Sequence, residues 1–308
     1  MWQSLLAQLV SGDIKALARS ISFVEAEQPG YQELMASLPV PASAHIIGIT
    51  GPPGAGKSTL TDGLIGELLT DGNKVAVLCV DPSSPFNLGA VLGDRIRMSQ
   101  WYTHPSVFIR SLATRGAMGG LHPKIIEITD LLKAAAYDYI IIETVGVGQS
   151  EIEIAGLADT TVVVLVPEAG DEVQTMKAGL MEIADIFVVN KSDRPDADAF
   201  LRHLRSMLAP AFSNRATEIP IIKAVASQSE GLPELFQKII DHQQVHKQND
   251  KRYWLLAEKA YQIIQQHRMK GIDKAALKQS LTLSDHPRFN LYQFLKPYLR
   301  TAKESEPD

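Results

Sequence analysis

The glycine-rich segment GPPGAGKS, residues 51–58, is the part of the sequence most directly suited to chemistry. It matches G-x-x-x-x-G-K-[ST] between an apolar run and a helical pattern, the context that a phosphate loop requires. Its backbone N–H groups and the helix N-terminus would surround phosphate oxygens. We expect Lys57 to contact the β- and γ-phosphates and Ser58 to ligate Mg²⁺. The segment therefore predicts a nucleoside triphosphate bound by Gly51, Pro52, Pro53, Gly54, Ala55, Gly56, Lys57, Ser58 and Thr59.

The segment NKSD, Asn190 to Asp193, ends another apolar run and indicates which base is bound. The Asp193 carboxylate is expected to accept hydrogen bonds from N1–H and the exocyclic amine of guanine, which adenine does not offer. We also expect Lys191 to contact the nucleotide, and the Ala226 backbone N–H is placed to donate to guanine O6. Val225 precedes it, where a serine is usual. The segment predicts GTP rather than ATP.

Several carboxylates follow apolar runs and are candidates for holding Mg²⁺. Glu143 ends the run YIII and opens the loop ETVGVGQS, in which the Gly146 N–H is expected near the γ-phosphate. Asp81 and Asp94 are further metal candidates. The alternative for these two aspartates is helix capping or turn formation, and both readings stay open.

The elements that must position these residues alternate between strands and helices. Uniformly apolar, β-branched runs separated by helical patterns predict an α/β fold with a mostly parallel sheet covered by helices on both faces. Ligands of such folds bind at the carboxyl ends of the strands, where the motifs fall. The predicted strands are 46–50, 74–80, 106–110, 139–144, 161–166, 185–190 and 220–225.

Three regions are expected along the chain. Residues 1–42 predict an N-terminal helical extension that closes at the prolines of LPVPAS. Residues 43–245 contain all the motifs and form the predicted nucleotide-binding domain. Residues 246–308 show only helical patterns, as in the amphipathic stretch RYWLLAEKAYQIIQQHRM.

Composition limits the class of protein. Of 308 residues, 45% are hydrophobic and 21% charged, which is ordinary for a globular chain. The net charge of −5 argues against a nucleic-acid binder. A single cysteine, Cys79, excludes an internal disulfide framework and a cysteine-cluster metal site. Neither a secretory signal nor a membrane-spanning run is visible, so we expect a cytoplasmic protein that does not bind membranes.

The motifs together resemble one family. GPPGAGKST, VDPSSPF…LGDRIRM, ETVGVGQSE, PEAGDEVQTMKAGLMEIAD and NKSD are similar to segments of the MeaB/ArgK family of P-loop GTPases, whose human member is the protein of the cblA cobalamin disorder. The resemblance covers most of residues 10–245. It implies a P-loop NTPase fold and a homodimeric GTPase, with its dimer contact in the C-terminal region. It also implies a chaperone of adenosylcobalamin-dependent methylmalonyl-CoA mutase or a related acyl-CoA mutase.

The resemblance also implies roles by position. Residues 81–97 would form a first switch, 143–153 a second, and 167–177 a third that moves when the mutase binds. Lys177 would become catalytic when the partner orders that segment, in the manner of an arginine finger. From spacing alone, Lys177 is better explained as an exposed helix lysine.

Two other functions remain as alternatives. Older descriptions of the family imply a small-molecule kinase or an arginine/ornithine transport ATPase, against which Asn190 and Asp193 argue. The other alternative is a nickel-maturation GTPase. It would need Cys/His ligands near the switches, where the sequence has no such pair.

Overall fold

The computed structural model describes residues 2–39, 43–81, 98–114, 121–144, 150–169, 183–212, 219–245, 250–269, 271–283 and 289–299. The chain divides into two compact units, Met1–Leu255 and Leu256–Asp308. Within the described ranges, no helix combines the length and the apolar character needed to cross a bilayer.

The first unit contains a seven-stranded sheet in the order β3-β2-β4-β1-β5-β6-β7, with every neighbouring pair parallel. All seven predicted strands are present, and their ends differ from the prediction by at most three residues. The strands are β1 (His45–Thr50), β2 (Val75–Asp81), β3 (Val107–Ala113), β4 (Tyr139–Glu143), β5 (Thr160–Leu165), β6 (Ile186–Val189) and β7 (Ile221–Lys223).

Helices precede, connect and follow these strands. In the first unit they are α1 (Trp2–Val10), α2 (Ile14–Glu25), α3 (Tyr31–Ala36), α4 (Lys57–Thr70), α5 (Ile125–Ala134), α6 (Ser150–Leu157), α7 (Ala197–Phe212) and α8 (Leu232–Val245). Short 3-10 helices span Ser99–Trp101, Pro167–Ala169 and Ala226–Gln228. Next along the chain come α9 (Asp250–Arg268), α10 (Lys274–Leu283) and α11 (Leu291–Leu299).

The sheet is buried on both faces, which explains why its strands lack an alternating polar pattern. On β1, Ile47 and Ile49 pack with α4, α7 and α8 on one side. Ile46 packs with α2, α5 and α6 on the other side, because successive side chains of a strand point to opposite faces. The predicted parallel sheet with helices on both faces is confirmed. It brings the loops after β1, β4 and β6 to one edge, which we call the carboxyl edge.

The opposite edge, which we call the amino edge, carries three aspartates that each precede a strand. Asp138 Oδ2 accepts a hydrogen bond from the Lys74 backbone N–H, Asp159 Oδ2 from that of Ile46 and Asp185 Oδ2 from that of Thr161, all at 2.8 Å. Each carboxylate therefore caps an N–H group that begins the neighbouring strand and that would otherwise lack an acceptor.

Two histidines at the amino edge are linked through one hydroxyl. Thr160 Oγ1 lies 2.9 Å from His45 Nε2 and 2.9 Å from His242 Nδ1. His45 Nδ1 lies 4.0 Å from Asp159, and His242 Nε2 lies 3.6 Å from Asp185. Burial lowers the pKa of His45, the Asp159 carboxylate raises it to a smaller degree, His242 lowers it and Asp185 raises it.

The second unit contains most of α9 together with α10 and α11. Several of its large apolar side chains are exposed, among them Tyr261, Ile264 and Tyr292. Contiguous exposed apolar surface is typical of sites that bind another protein.

Candidate nucleotide-binding site

The phosphate loop occupies the turn between β1, which ends at Thr50, and α4, which begins at Lys57. Gly51 has a φ of 139°, and a Cβ built on it would lie 2.0 Å from the Val164 carbonyl oxygen of neighbouring β5. Only glycine fits at that approach. The loop is therefore packed directly against the central strands.

A second glycine joins the loop to the predicted base-binding segment. Gly56 has a φ of 86°, and a Cβ there would lie 2.3 Å from Asn190 Nδ2. Asn190 donates from Nδ2 to the Ala55 carbonyl at 2.8 Å, so its side chain crosses the base of the loop. Lys191 Nζ donates to the Gly54 carbonyl at 2.8 Å. The segments NKSD and GPPGAGKS, 130 residues apart, thus form one structure.

Lys57 places its ammonium inside the loop. Its Nζ donates to the Gly51 carbonyl at 2.9 Å and to the Pro52 carbonyl at 3.0 Å, and the residue is buried. Phosphate oxygens carry more negative charge than carbonyl oxygens and form stronger hydrogen bonds with an ammonium. The position of Lys57 is therefore suited to contact the phosphates that the sequence predicts.

Ser58 and Glu143, two residues that the sequence predicts as Mg²⁺ ligands, lie in direct contact. The Ser58 hydroxyl donates to Glu143 Oε1 at 2.6 Å, and Glu143 is only 4% exposed. β4 pairs with β1 in a register that sets Glu143 beside Ile49, and this brings the carboxylate to the start of α4. Hydroxyl and carboxylate oxygens are hard ligands that suit Mg²⁺. In the described part of the chain, no three or more His, Cys, Asp and Glu side chains are grouped to hold a metal ion.

Thr61 is a residue of the site that the sequence analysis missed. Its Oγ1 lies 2.9 Å from Glu143 Oε2, and the side chain is fully buried. The available signal was its position three residues after Ser58, because residues three apart on a helix share a face. The two oxygens of Glu143 are therefore engaged by two hydroxyls from the first turns of α4.

The predicted base-binding residues lie at the carboxyl ends of β6 and β7. Asn190 Oδ1 accepts a hydrogen bond from the Ala226 backbone N–H at 3.1 Å, so the donor predicted for guanine O6 contacts Asn190 in this structure. The Ser192 N–H donates to the Ala224 carbonyl at 3.0 Å, which fixes the turn that carries Asp193. Asp193 itself is exposed.

The remaining predicted residues divide into two groups. Pro52 is buried in the loop, Pro53 is exposed, and Thr59 is half-buried in the first turn of α4. Asp94, Gly146 and Lys177 lie outside the described residues, as does the side chain of Asp81, whose backbone ends β2. Their roles stay predictions.

Comparison with known proteins assigns the chain to a family. A family model described as "Methylmalonyl Co-A mutase-associated GTPase MeaB" matches residues 17–279. A protein of Pyrococcus abyssi that is named as a GTPase is 47% identical over 249 residues, which are 79% of this chain and 76% of the relative.

A second relative joins a similar segment to another enzyme. A Geobacillus kaustophilus protein named fused isobutyryl-CoA mutase is 35% identical over 252 residues, or 77% of this chain but only 23% of that protein. A solved structure described as a LAO/AO transport system kinase matches with a TM-score of 0.67 and 26% identity, covering 97% of this chain and 98% of the other. These matches agree with a P-loop fold.

Proposed function

The chain belongs to the MeaB family of GTPases, and from this premise we propose that it is a Mg²⁺-dependent GTPase that acts as a chaperone of an adenosylcobalamin-dependent acyl-CoA mutase. The observation that carries the proposed chemistry is the contact of Ser58 with Glu143 beside Lys57, in a loop that Asn190 ties to the predicted base site. The residues proposed to contact phosphate, metal and base thus lie together at one corner of the sheet.

The proposed reaction is in-line attack of water on the γ-phosphate of GTP, giving GDP and phosphate. Lys57 would stabilise the charge on the β- and γ-phosphate oxygens, as the lysine of a phosphate loop does. Ser58 and Glu143 would hold the metal ion, and the sequence adds Asp81 and Asp94 as candidates. When bound, Mg²⁺ supplies positive charge that offsets the charge of the phosphates.

Selection of guanine is assigned to Asp193 in this proposal. The exposed carboxylate follows a segment that is anchored on both sides, since Asn190 contacts Ala55 and Ala226 while Ser192 contacts Ala224. A carboxylate carried on an anchored backbone would discriminate between bases, because the segment would resist moving to relieve a mismatch.

The mutase partnership is supported by the fused relative, in which one polypeptide contains both a mutase and a segment similar to 77% of this chain. We propose that this chain performs the corresponding task as a separate protein and that GTP hydrolysis gates loading or repair of the mutase cofactor. Lys177 is proposed as a catalytic group that the bound mutase orders, with residues 167–177 as the responsive segment.

A second copy of the chain is the proposed partner of the C-terminal region, residues 246–308. The exposed apolar side chains of the second unit, such as Tyr261 and Tyr292, support this proposal. Exposed apolar surface is typical of sites that bind another protein. Sedimentation of the full chain as a monomer at micromolar concentration would contradict it.

The test is GTP turnover by the purified chain with and without methylmalonyl-CoA mutase from the same organism, with ATP as control. We expect slow GTP hydrolysis alone, a rise of about tenfold or more with mutase, and loss of that rise in Lys177→Ala. Turnover of GTP that the mutase leaves unchanged would contradict the chaperone role. Faster turnover of ATP than of GTP would contradict the base assignment and favour the kinase alternative.

A further inference from the structure

The contact between Thr61 and Glu143 has no counterpart in the phosphate-loop motif. Thr61 Oγ1 lies 2.9 Å from Glu143 Oε2 and also 2.9 Å from the Lys57 carbonyl oxygen. A hydroxyl has one hydrogen, and both neighbours are acceptors. The carboxylate is the stronger acceptor because it carries a full charge, so the hydrogen points to Glu143.

This hydrogen bond restricts the side chain of Glu143. A glutamate carboxylate is separated from the backbone by one more rotatable bond than that of aspartate, so it has more orientations to lose when it is fixed. The 2.6 Å contact of Ser58 engages Oε1 only, so by itself it does not set the plane of the carboxylate. With Thr61 on Oε2, both oxygens are held and the plane of the carboxylate is set.

The orientation of Glu143 determines in turn what Ser58 offers to a cation. Ser58 has a single hydroxyl hydrogen and gives it to Glu143 Oε1. A metal ion would therefore be contacted through the lone pairs of the Ser58 oxygen. If Glu143 turned, the Ser58 hydrogen would turn with it, and the lone pairs would no longer have one direction.

We propose that Thr61 is a positioning residue of the Mg²⁺ site, which acts through Glu143 on Ser58. The inference rests on the proposed function, because it takes Ser58 and Glu143 as the residues that hold the cation. Thr61 is fully buried on α4, three positions after Ser58. Outer partners of metal ligands commonly change metal affinity by about 10- to 100-fold.

The test compares Thr61→Val with Thr61→Ser in the full-length chain. Valine keeps the shape of threonine without its hydroxyl, whereas serine keeps the hydroxyl without the methyl group. Thr129→Val is the matched control, because Thr129 is also buried and its hydroxyl donates to the Ile126 carbonyl at 2.7 Å on α5, away from the site. Mn²⁺ serves as the probe, and its binding to the GDP-saturated protein is followed by electron paramagnetic resonance.

We expect Thr61→Val to weaken Mn²⁺ binding by about tenfold, while Thr61→Ser and Thr129→Val stay near the unmodified chain. GDP affinity in EDTA should be the same in all four proteins, which separates an effect on the metal from a general distortion of the loop. Equal Mn²⁺ affinity in Thr61→Val and the unmodified chain would overturn the proposal.

Two further outcomes are distinguishable. If the unmodified chain with GDP binds no more Mn²⁺ than GDP alone, the proposed metal site itself is wrong, and the role of Thr61 fails with it. If Thr61→Val does not fold by circular dichroism, Thr61→Cys replaces it, because a thiol is a weak donor of similar size. We then expect Mn²⁺ affinity below that of the unmodified chain, and equal affinity would overturn the proposal.

Discussion

The two edges of the sheet differ in the polar side chains that contact backbone groups. At the amino edge, Asp138, Asp159 and Asp185 present acceptors to backbone N–H groups. At the carboxyl edge, Lys57 and Asn190 present donors to backbone carbonyls. The direction of parallel strands leaves N–H groups without partners at the amino edge. The carbonyls that Lys57 and Asn190 contact at the other edge belong to the phosphate loop.

This difference supports the proposal that an anionic ligand binds at the carboxyl edge. Groups that donate hydrogen bonds to carbonyl oxygens at this edge can also donate them to phosphate oxygens. The N-terminus of α4 adds its own N–H groups. The carboxylates of the amino edge each already accept a backbone N–H. The Glu143 carboxylate at the carboxyl edge is instead contacted by the hydroxyls of Ser58 and Thr61. The comparison predicts that changes at the carboxyl edge alter binding and that changes at the amino edge alter stability.

The largest expected effect is on base selection at the carboxyl edge. Asp193→Asn replaces one acceptor oxygen by an amide that faces a donor of guanine, so GTP affinity should fall by about 100-fold. Xanthine has a carbonyl oxygen where guanine has its amine, so affinity for xanthosine triphosphate should rise. Calorimetric titration with both nucleotides measures the change.

The control for that substitution is Asp196→Asn, an exposed aspartate three residues further along the chain. It should bind both nucleotides like the unmodified chain, and the free energy of unfolding should be the same for both variants. Unchanged GTP affinity in Asp193→Asn would contradict the guanine assignment.

The sequence predicted one edge much better than the other. Lys57, Ser58 and Glu143 belong to motifs or end an apolar run, and the structure brings them together. Asp138 and Asp159 also flank predicted strands, but the N–H group that each one caps belongs to a strand that is not its neighbour in sequence. Identifying these hydrogen-bond partners requires the order of the strands in the sheet. The sequence patterns that predict strands do not give that order.

The contact of Thr61 with Glu143 was not predicted, for a related reason. Its distance from Ser58 along α4 is visible in the sequence, but its contact with Glu143 depends on the register of β4 against β1. Motifs describe residues that are close along the chain or that recur at known sites. A contact created by sheet register has no such pattern.

A smaller effect is expected from removing a cap at the amino edge. Asp159→Ala leaves the Ile46 N–H at the start of β1 without its acceptor, so the free energy of unfolding should fall by about 1–3 kcal/mol. Asp159→Asn keeps an acceptor oxygen and should lose less. Urea denaturation measures both variants, and GDP affinity should be unchanged in each. A loss of GDP affinity in Asp159→Ala with unchanged stability would contradict the division of roles between the edges.

The smallest expected effect is a dependence of stability on pH that arises at His45. Burial lowers the pKa of His45 below 6.5, so between the two pKa values the unfolded chain binds more protons than the folded chain. The contribution of His45 to the free energy of unfolding therefore rises with pH through that interval and is lost as the pH falls below 6.5. Urea denaturation at pH 7.5 and 5.5 measures the difference.

His45→Gln should show a smaller loss of stability between those two pH values than the unmodified chain, because its amide does not titrate. Asp159→Asn should show a larger loss, because the Asp159 carboxylate raises the pKa of His45 and its removal widens the gap to the unfolded value. His242, Asp185 and Thr160 face the same group and are unchanged in both variants. An equal loss in all three proteins would show that His45 does not control this dependence.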